Sequence, residues 1–164
     1  RSDACGAAET WALYLGGGQD DLRGIGLYGD PGVAVAVSSD ELGIGFNNLN
    51  YAYDPHTGRQ MEGIRVLPVD LDGDGRIGPG EDFYGTRDDL ARAVAAGMYP
   101  SPPARDLHFV SRGRPGRAVV AEFLRWVLTE GQAYVAEAGY IPLGGERLAA
   151  EREKLGAGAE GLAQ

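Results

Sequence analysis

The chain has 164 residues, with 15 basic and 24 acidic side chains, and its net charge is −9. A chain of this length forms one domain by default, and folding would bury about 70% of the surface that the unfolded chain exposes. The negative charge argues against a nucleic-acid surface or an anionic membrane as a partner. The sequence has no run of about 18 apolar residues, so it predicts no membrane span.

The glycine, proline and cysteine contents indicate what kind of local structure and cross-linking to expect. The 27 Gly and 9 Pro are nearly twice the usual share and predict many tight turns. Cys5 is the only cysteine, so the chain forms no internal disulfide. The polar residues before Cys5 do not resemble a lipoprotein signal, and the opening Arg1 leads us to expect a processed product or a piece of a longer protein.

Helical and strand patterns alternate along the chain. The predicted elements are a helix at 6–15, a strand or Ala-rich helix at 32–38, a strand at 43–46, a turn entering a helix at 47–53, a strand at 64–69, an acidic loop at 70–81, a helix at 87–96, a strand at 106–111, and helices at 118–128, 132–138 and 146–155. Asp30 and Pro31 favour a helix for 32–38, and Pro68 suggests an edge strand. The alternation predicts an α/β fold.

The start of the first helix has the chemistry of an anion site. The N–H groups of Cys5, Gly6 and Ala7 have no partner inside the helix, and the helix dipole favours a negative charge there. Arg1 adds a fork of donors that Asp3 can orient. An ordinary capped helix start would explain the same residues.

A thiol enzyme is another functional hypothesis for this helix start, because a cysteine at a helix N-terminus is unusually reactive. A cysteine phosphatase would need an Arg where this chain has Trp11, and neither His56 nor His108 is marked as a general base. No set of nucleophile, base and orienting group can be named. We therefore expect binding rather than catalysis.

Several ordered segments resemble the phosphate-binding proteins of phosphate ABC transporters. The opening RSDACGAAETWALYL is similar to the motif R-x-D-x-S-G-T-x-x-x-F-x-x-YL. The segment FLRWVLTEGQAYVAEAGYIPL is similar to the ending F-x-x-W/F-x-L-x-x-x-G-Q-x-x-V-x-x-x-G-Y-x-P-L. Between them lie GVAVAV at 32–37, GIGF at 43–46 followed by YAY at 51–53, and YPSPPARDL at 99–107.

This resemblance implies one lobe of a type II periplasmic-binding-protein fold, with a mixed, mostly parallel sheet flanked by helices. Residues 1–112 would be the second lobe, with a calcium loop inserted at 70–81. Residues 113–155 would form a C-terminal helical segment, and 156–164 a flexible tail. The implied function is a non-catalytic, extracytoplasmic binding component for phosphate or a similar oxyanion. The implied partners are a first lobe or another chain and the transporter's membrane subunits.

The resemblance also implies roles for individual residues. Arg1 matches the anion-binding arginine, Asp3 its acidic partner, and Gly6 the glycine whose N–H meets the ligand. Cys5 stands where the family has Ser, and Ala7 where it has Thr. Each lost hydroxyl bond to a charged ligand is worth about 1.5–3 kcal/mol. We therefore expect a weakened site, a different oxyanion, or a vestigial site.

Residues 70–81 (DLDGDGRIGPGE) fit the twelve-residue calcium loop at every position. Oxygen ligands at positions 1, 3, 5, 7 and 12 come from Asp70, Asp72, Asp74, the Arg76 carbonyl and Glu81. Gly75 supplies the sharp turn at position 6, and Ile77 occupies the apolar position. The alternative is an acidic surface turn with fortuitous spacing. Calcium would brace the strand end at Asp70 against the segment that carries Phe83 and Tyr84.

Three smaller groups have open alternatives. Tyr51, Tyr53, Asn47 and Asn48 would line the ligand cleft or pack in a turn or core. The arginines at 105, 112, 114 and 117 form a solvated face or an interface. Residues 146–154 form an amphipathic helix that would contact a partner or the missing first lobe. If the anion site is lost, the chain is a calcium-stabilised structural or interaction module.

Overall fold

Five α-helices are the main regular elements of residues 6–156, the part of the chain that the computed structural model describes. They are α1 (Gly6–Tyr14), α2 (Gly29–Ser38), α3 (Arg87–Ala95), α4 (Ala118–Val127) and α5 (Gly145–Gly156). Short 3₁₀ turns lie at Gln19–Asp21, Leu49–Tyr51 and Glu130–Tyr134. The helices predicted at 6–15, 87–96, 118–128 and 146–155 are confirmed, and so is the helical alternative for 32–38.

The predicted α/β lobe with a mixed, mostly parallel sheet is wrong. Helices make up 40% of the structure and strands 3%, so no sheet is present within residues 6–156. The β structure there consists of two isolated antiparallel bridges, Tyr53 with Gln60 and Arg59 with Thr86. The three predicted strands, 43–46, 64–69 and 106–111, form no ladder. A strand satisfies its backbone only by bonding to another strand, and these segments do not pair with one another.

Local signals explain where the helices begin and end. At α3, Oγ1 of Thr86 accepts a hydrogen bond from the N–H of Asp89 over 3.2 Å, which caps the helix start. Gly97, just beyond the end of the helix, has φ 73°, a conformation that favours glycine. The inner face of α3 buries Leu90 and Ala93.

The chain divides into two compact units, the first ending at Asp106 and the second beginning at Leu107. The first unit has a core of Tyr53, Tyr84 and Leu90. Partly buried apolar side chains pack against this core: Leu49, Ala52, Val66, Phe83, Val94 and Tyr99. No helix of the described residues is long and apolar enough to cross a bilayer. The roles predicted for 1–112 and 113–155 stay predictions.

Candidate functional site

The acidic loop, residues 70–81, is tied at both ends to the core of the first unit. The N–H of Val69, immediately before the loop, donates to Oη of Tyr84 over 3.2 Å. Tyr84 follows the loop by three residues, and its carbonyl accepts from Oη of Tyr53 and Nε2 of Gln60, each at 2.9 Å. Because Tyr53 and Tyr84 are buried, the core holds the two ends of the loop close together.

Three aspartates converge within this loop. One carboxylate oxygen from each of Asp70, Asp72 and Asp74 lies within 4.8 Å of the other two. Asp70 is half-buried, while Asp72 and Asp74 are exposed, so the cluster opens to solvent. The structure therefore brings together the side chains predicted for positions 1, 3 and 5 of a calcium loop.

Backbone donors hold Asp70 in its ionised form. Its two oxygens accept from the N–H groups of Gly73 (2.7 Å) and Gly75 (2.9 Å). The Gly75 N–H is the largest cause of the lowered pKa of Asp70. Gly73 and Gly75 have φ of 76° and 80°, where a side chain would be strained. This turn lets the backbone fold around the carboxylate, as the predicted sharp turn at position 6 requires.

The other two aspartates make shorter-range contacts of the same kind. Oδ1 of Asp72 accepts from the N–H of Asp74 (3.1 Å), and Oδ1 of Asp74 accepts from the N–H of Arg76 (2.8 Å). The side chain of Arg76 is exposed and Ile77 is 40% exposed. The backbone thus winds around the three carboxylates, and the predicted ligand role of the Arg76 carbonyl stays a prediction.

Glu81 connects the two ends of the loop. Its side chain is buried, with 8% of the residue exposed. Oε1 accepts from the N–H groups of Leu71 (2.5 Å) and Asp72 (3.2 Å), and Oε2 accepts from Gly78 (2.9 Å). The Gly78 N–H, followed by that of Leu71, lowers the pKa of Glu81, and the negative charge of Asp70 opposes this shift.

The position of Glu81 differs from a simple ligand arrangement. Its carboxylate is not one of the three whose oxygens meet within 4.8 Å, and it bonds to the backbone N–H of Leu71, within the cluster, and to that of Gly78, beyond it. Each carboxylate oxygen has two lone pairs, so these bonds leave acceptor capacity on Glu81. The bidentate role predicted for it stays a prediction.

The donor set is chemically selective. Asp70, Asp72 and Asp74 offer hard oxygen ligands with concentrated negative charge, and nitrogen or sulfur ligands are absent from this cluster. Such a set suits calcium or magnesium rather than zinc or copper. The twelve-residue spacing favours calcium, because it matches the calcium loop, whereas magnesium requires a near-ideal octahedral shell.

No family model, curated protein or solved structure matches this chain. The likeness to phosphate-binding proteins therefore stays a prediction that rests on the motifs alone.

The predicted anion site lies only partly in the described chain. Arg1, Asp3 and Cys5 are outside the described residues, whereas Gly6 and Ala7 form the start of α1 and are half-buried. The described part of the site is thus the first turn of a nine-residue helix.

Arg105 is a cationic neighbour of this helix start that the sequence analysis assigned only to a solvated face or an interface. A Cβ atom placed on Gly6 would lie 2.5 Å from Nη1 and 3.2 Å from Cζ of Arg105, so the guanidinium lies directly against Gly6. The available signal was weak: Arg105 belongs to the segment YPSPPARDL, which carries part of the resemblance.

Of the predicted cleft residues, Tyr53 has a core position. Only 1% of Tyr53 is exposed, and burial raises its pKa to about 12. Nδ2 of Asn47 donates to the Asp30 carbonyl (2.8 Å), and Nδ2 of Asn48 donates to Oδ2 of Asp30 (2.6 Å). These two amides connect the segment after 43–46 to the start of α2.

Proposed function

We propose that this chain is a calcium-braced binding module and that residues 70–81 are its calcium site. The observation that carries the proposal is the convergence of Asp70, Asp72 and Asp74 within 4.8 Å in a loop of the right length and spacing. An ion between them would neutralise the mutual repulsion of the three carboxylates.

Bracing, rather than sensing, is the role that the surroundings of the loop support. Sensor loops open a pair of flanking helices when calcium binds. Here the segment before the loop, 64–69, is not helical, and α3 begins only at Arg87. Val69, immediately before the loop, is instead bonded to Tyr84, whose carbonyl accepts from Tyr53. Calcium would therefore stabilise the tyrosine core of the first unit.

A thermal-shift titration with calcium tests the site. Extracellular calcium modules bind at roughly 10⁻⁴–10⁻³ M, and this range suits the extracytoplasmic location that we propose. Calcium at about one hundred times its Kd would stabilise the folded state by about 2.7 kcal/mol. The double variant Asp70→Ala/Asp72→Ala should lose the calcium-dependent rise in melting temperature.

The matched control removes the same charge elsewhere. Glu41 and Glu62 are exposed residues of the same unit, and Glu41→Ala/Glu62→Ala should keep the full calcium response. A wild-type protein whose melting temperature does not change in calcium at about one hundred times this Kd, roughly 10⁻²–10⁻¹ M, would refute the site. If both double variants lost the calcium-dependent rise in melting temperature equally, the rise would reflect the net negative charge of the unit and not a specific site.

The second candidate function is oxyanion binding at the start of α1, as in a phosphate-transport component. The observation that favours it is the guanidinium of Arg105 against Gly6, because two positive groups, a guanidinium and a helix N-terminus, attract an anion between them. The implied partners, the membrane subunits of an ABC transporter, belong to this proposal.

Isothermal calorimetry with phosphate, sulfate and phosphonates tests this second function. Binding that weakens in Arg105→Gln, but not in the exposed control Arg23→Gln, would support it. If no anion produces heat with the wild-type chain, the oxyanion function fails, whatever the outcome of the calcium titration.

A further inference from the structure

The second unit exposes its large apolar side chains instead of enclosing them. Gly131 is the only buried residue in the described part of this unit, 107–156. Five aromatic residues there are 45–67% exposed: Phe109, Phe123, Trp126, Tyr134 and Tyr140. A water-soluble domain rarely leaves so much aromatic surface in contact with solvent unless another surface covers it.

Four of these rings form a continuous ladder. Phe109 contacts Phe123 edge-on at 5.9 Å between ring centroids, Phe123 stacks near Trp126 at 6.4 Å, and Trp126 stacks near Tyr134 at 6.0 Å. We call Phe109, Phe123, Trp126 and Tyr134 the aromatic ladder. Its rings already pack against one another, so they would meet a partner as one ordered surface.

Helix α4 extends the same apolar surface. Val119, Phe123 and Trp126 are spaced by four and three residues and therefore share one face of the helix. They are 59%, 50% and 45% exposed. The face that would normally pack into a core is thus open to solvent.

The segment 107–110 adds an unpaired backbone beside the ladder. It is neither helical nor part of a bridge, and none of the described residues forms a hydrogen bond with its backbone. Leu107, Phe109 and Val110 are 66%, 67% and 92% exposed. An extended apolar segment with free N–H and C=O groups is a template for pairing with another strand.

We propose that this surface pairs with the same surface of a second copy of the chain, about a two-fold axis. Segment 107–110 lies antiparallel to its counterpart, and the two aromatic ladders pack against each other. An isologous contact of this kind closes on itself and leaves no free strand edge on the inner side.

The apolar area that the second unit exposes supports a second copy of the chain as the partner. The four rings of the aromatic ladder, at about 200 Å² each and about half exposed, leave about 400 Å² of aromatic surface in water. Leu107, which alternation places on the same face of the segment as Phe109, and Val119 bring the patch toward the roughly 800 Å² per partner that a stable interface buries.

The near-zero net charge of the second unit also supports a second copy as the partner. Residues 107–156 carry seven basic and six acidic side chains, whereas the whole chain has a net charge of −9. Two second units therefore meet without the repulsion that contact between first units would produce.

The test is the mass of the intact chain in solution, measured by sedimentation from micromolar to submillimolar protein. We expect a reversible monomer–dimer equilibrium. Phe109→Ser should weaken association about tenfold or more, because aromatic anchors dominate interfaces. Leu107→Lys should do the same, because it places an unpaired charge on the face of the segment that carries Phe109, at a position that is 66% exposed in the single chain.

The matched control is Leu42→Lys, which adds the same charge at a residue of the first unit that is 93% exposed. It should leave the dimer unchanged. Hydrogen exchange provides a second measurement: the amides of 107–110 should be protected at high protein concentration and exchange rapidly on dilution. A chain that stays monomeric, that forms open-ended polymers, or that protects these amides equally at all concentrations overturns the proposal.

Discussion

Tyr53 is the largest side chain that the described part of the first unit buries completely. Its hydroxyl donates to the Tyr84 carbonyl over 2.9 Å, so the phenol is buried with its polar end satisfied. Burial raises the pKa of Tyr53 to about 12, and it does the same for Tyr99. The phenolate forms of both residues are therefore disfavoured in the folded state.

The first prediction concerns alkaline pH. Because the folded pKa of Tyr53 lies above its usual value of 10.0, its contribution to stability is complete below pH 10 and is lost as the pH rises toward about 12. Tyr53→Phe should lower the free energy of unfolding by about 0.5–1.5 kcal/mol below pH 10, through the lost hydrogen bond. The variant should also lose less stability than the wild type as the pH rises toward about 12. Urea denaturation below pH 10 and near pH 12 would measure both effects.

Tyr28→Phe is the control, because Tyr28 is 81% exposed. It should change neither the stability below pH 10 nor the alkaline loss. If Tyr53→Phe unfolds over the same alkaline range as the wild type with the same loss of stability, the buried phenol is not its cause.

Glu81 provides the second prediction at the residue scale. Its carboxylate accepts from three backbone N–H groups that belong to both ends of the loop. Glu81→Gln should therefore lower the melting temperature even in the presence of EDTA, because the charged acceptor is lost. The neighbouring exposed control, Asp82→Asn, should have the wild-type melting temperature in EDTA. If the two variants had the same melting temperature in EDTA, Glu81 would have no special structural role.

At the scale of elements, α3 shows how local sequence directs the structure next to the site. Thr86 caps the helix, and Oγ1 also donates to Oδ2 of Asp89 at 2.5 Å. Thr86 also forms the isolated bridge with Arg59. The helix start is therefore attached to the segment that follows Tyr53, and Leu90 on the same helix completes the core.

The third prediction follows from this cap. Thr86→Ala should destabilise the first unit by about 1 kcal/mol, because the N–H of Asp89 loses its acceptor. Thr86→Ser keeps the hydroxyl and should retain most of the stability. Urea midpoints measured on both variants would decide, and an Ala variant as stable as the Ser variant would argue against the cap.

At the scale of the whole molecule, the two units differ in charge and in burial. Residues 1–106 contain 8 basic and 17 acidic side chains, which equals the −9 of the entire chain, and the remainder is neutral. The first unit encloses a tyrosine core, whereas the described part of the second exposes its aromatic ladder. The calcium site that we propose therefore belongs to the acidic unit, and the self-association that we propose belongs to the neutral one.

This division leads to a fourth prediction, on limited proteolysis. Arg76 in the acidic loop and Arg112 in the second unit are both exposed. Calcium at about one hundred times its Kd should slow tryptic cleavage after Arg76 up to about a hundredfold, because cleavage requires local opening of the loop. Cleavage after Arg112 should keep its rate and serves as the internal control for calcium effects on trypsin. Mass spectrometry of early digests measures both, and equal slowing would contradict the assignment.

The site could be predicted further than the fold. Spacing within twelve residues was enough to place Asp70, Asp72 and Asp74 together, because a loop of that length keeps its side chains near one another. The position of Arg105 against Gly6 depends on residues far apart in sequence, and no local pattern indicates it. The α/β prediction failed because the apolar segments 64–69 and 106–111 have strand-like patterns but no partner strands in the described chain.

The amino-acid sequence by itself determined four of the five α-helices and the order of carboxylates in the acidic loop, whereas the helix predicted at 132–138 is a 3₁₀ turn at Glu130–Tyr134 followed by further turns. A helix satisfies its backbone within its own segment, and caps such as Thr86 act over three residues. Only the tertiary structure decided that the extended segments stay unpaired, that Tyr53 and Tyr84 hold the loop, and that the aromatic ladder faces solvent. Strand pairing and burial depend on contacts between segments that are distant in sequence, and the local sequence pattern does not specify those contacts.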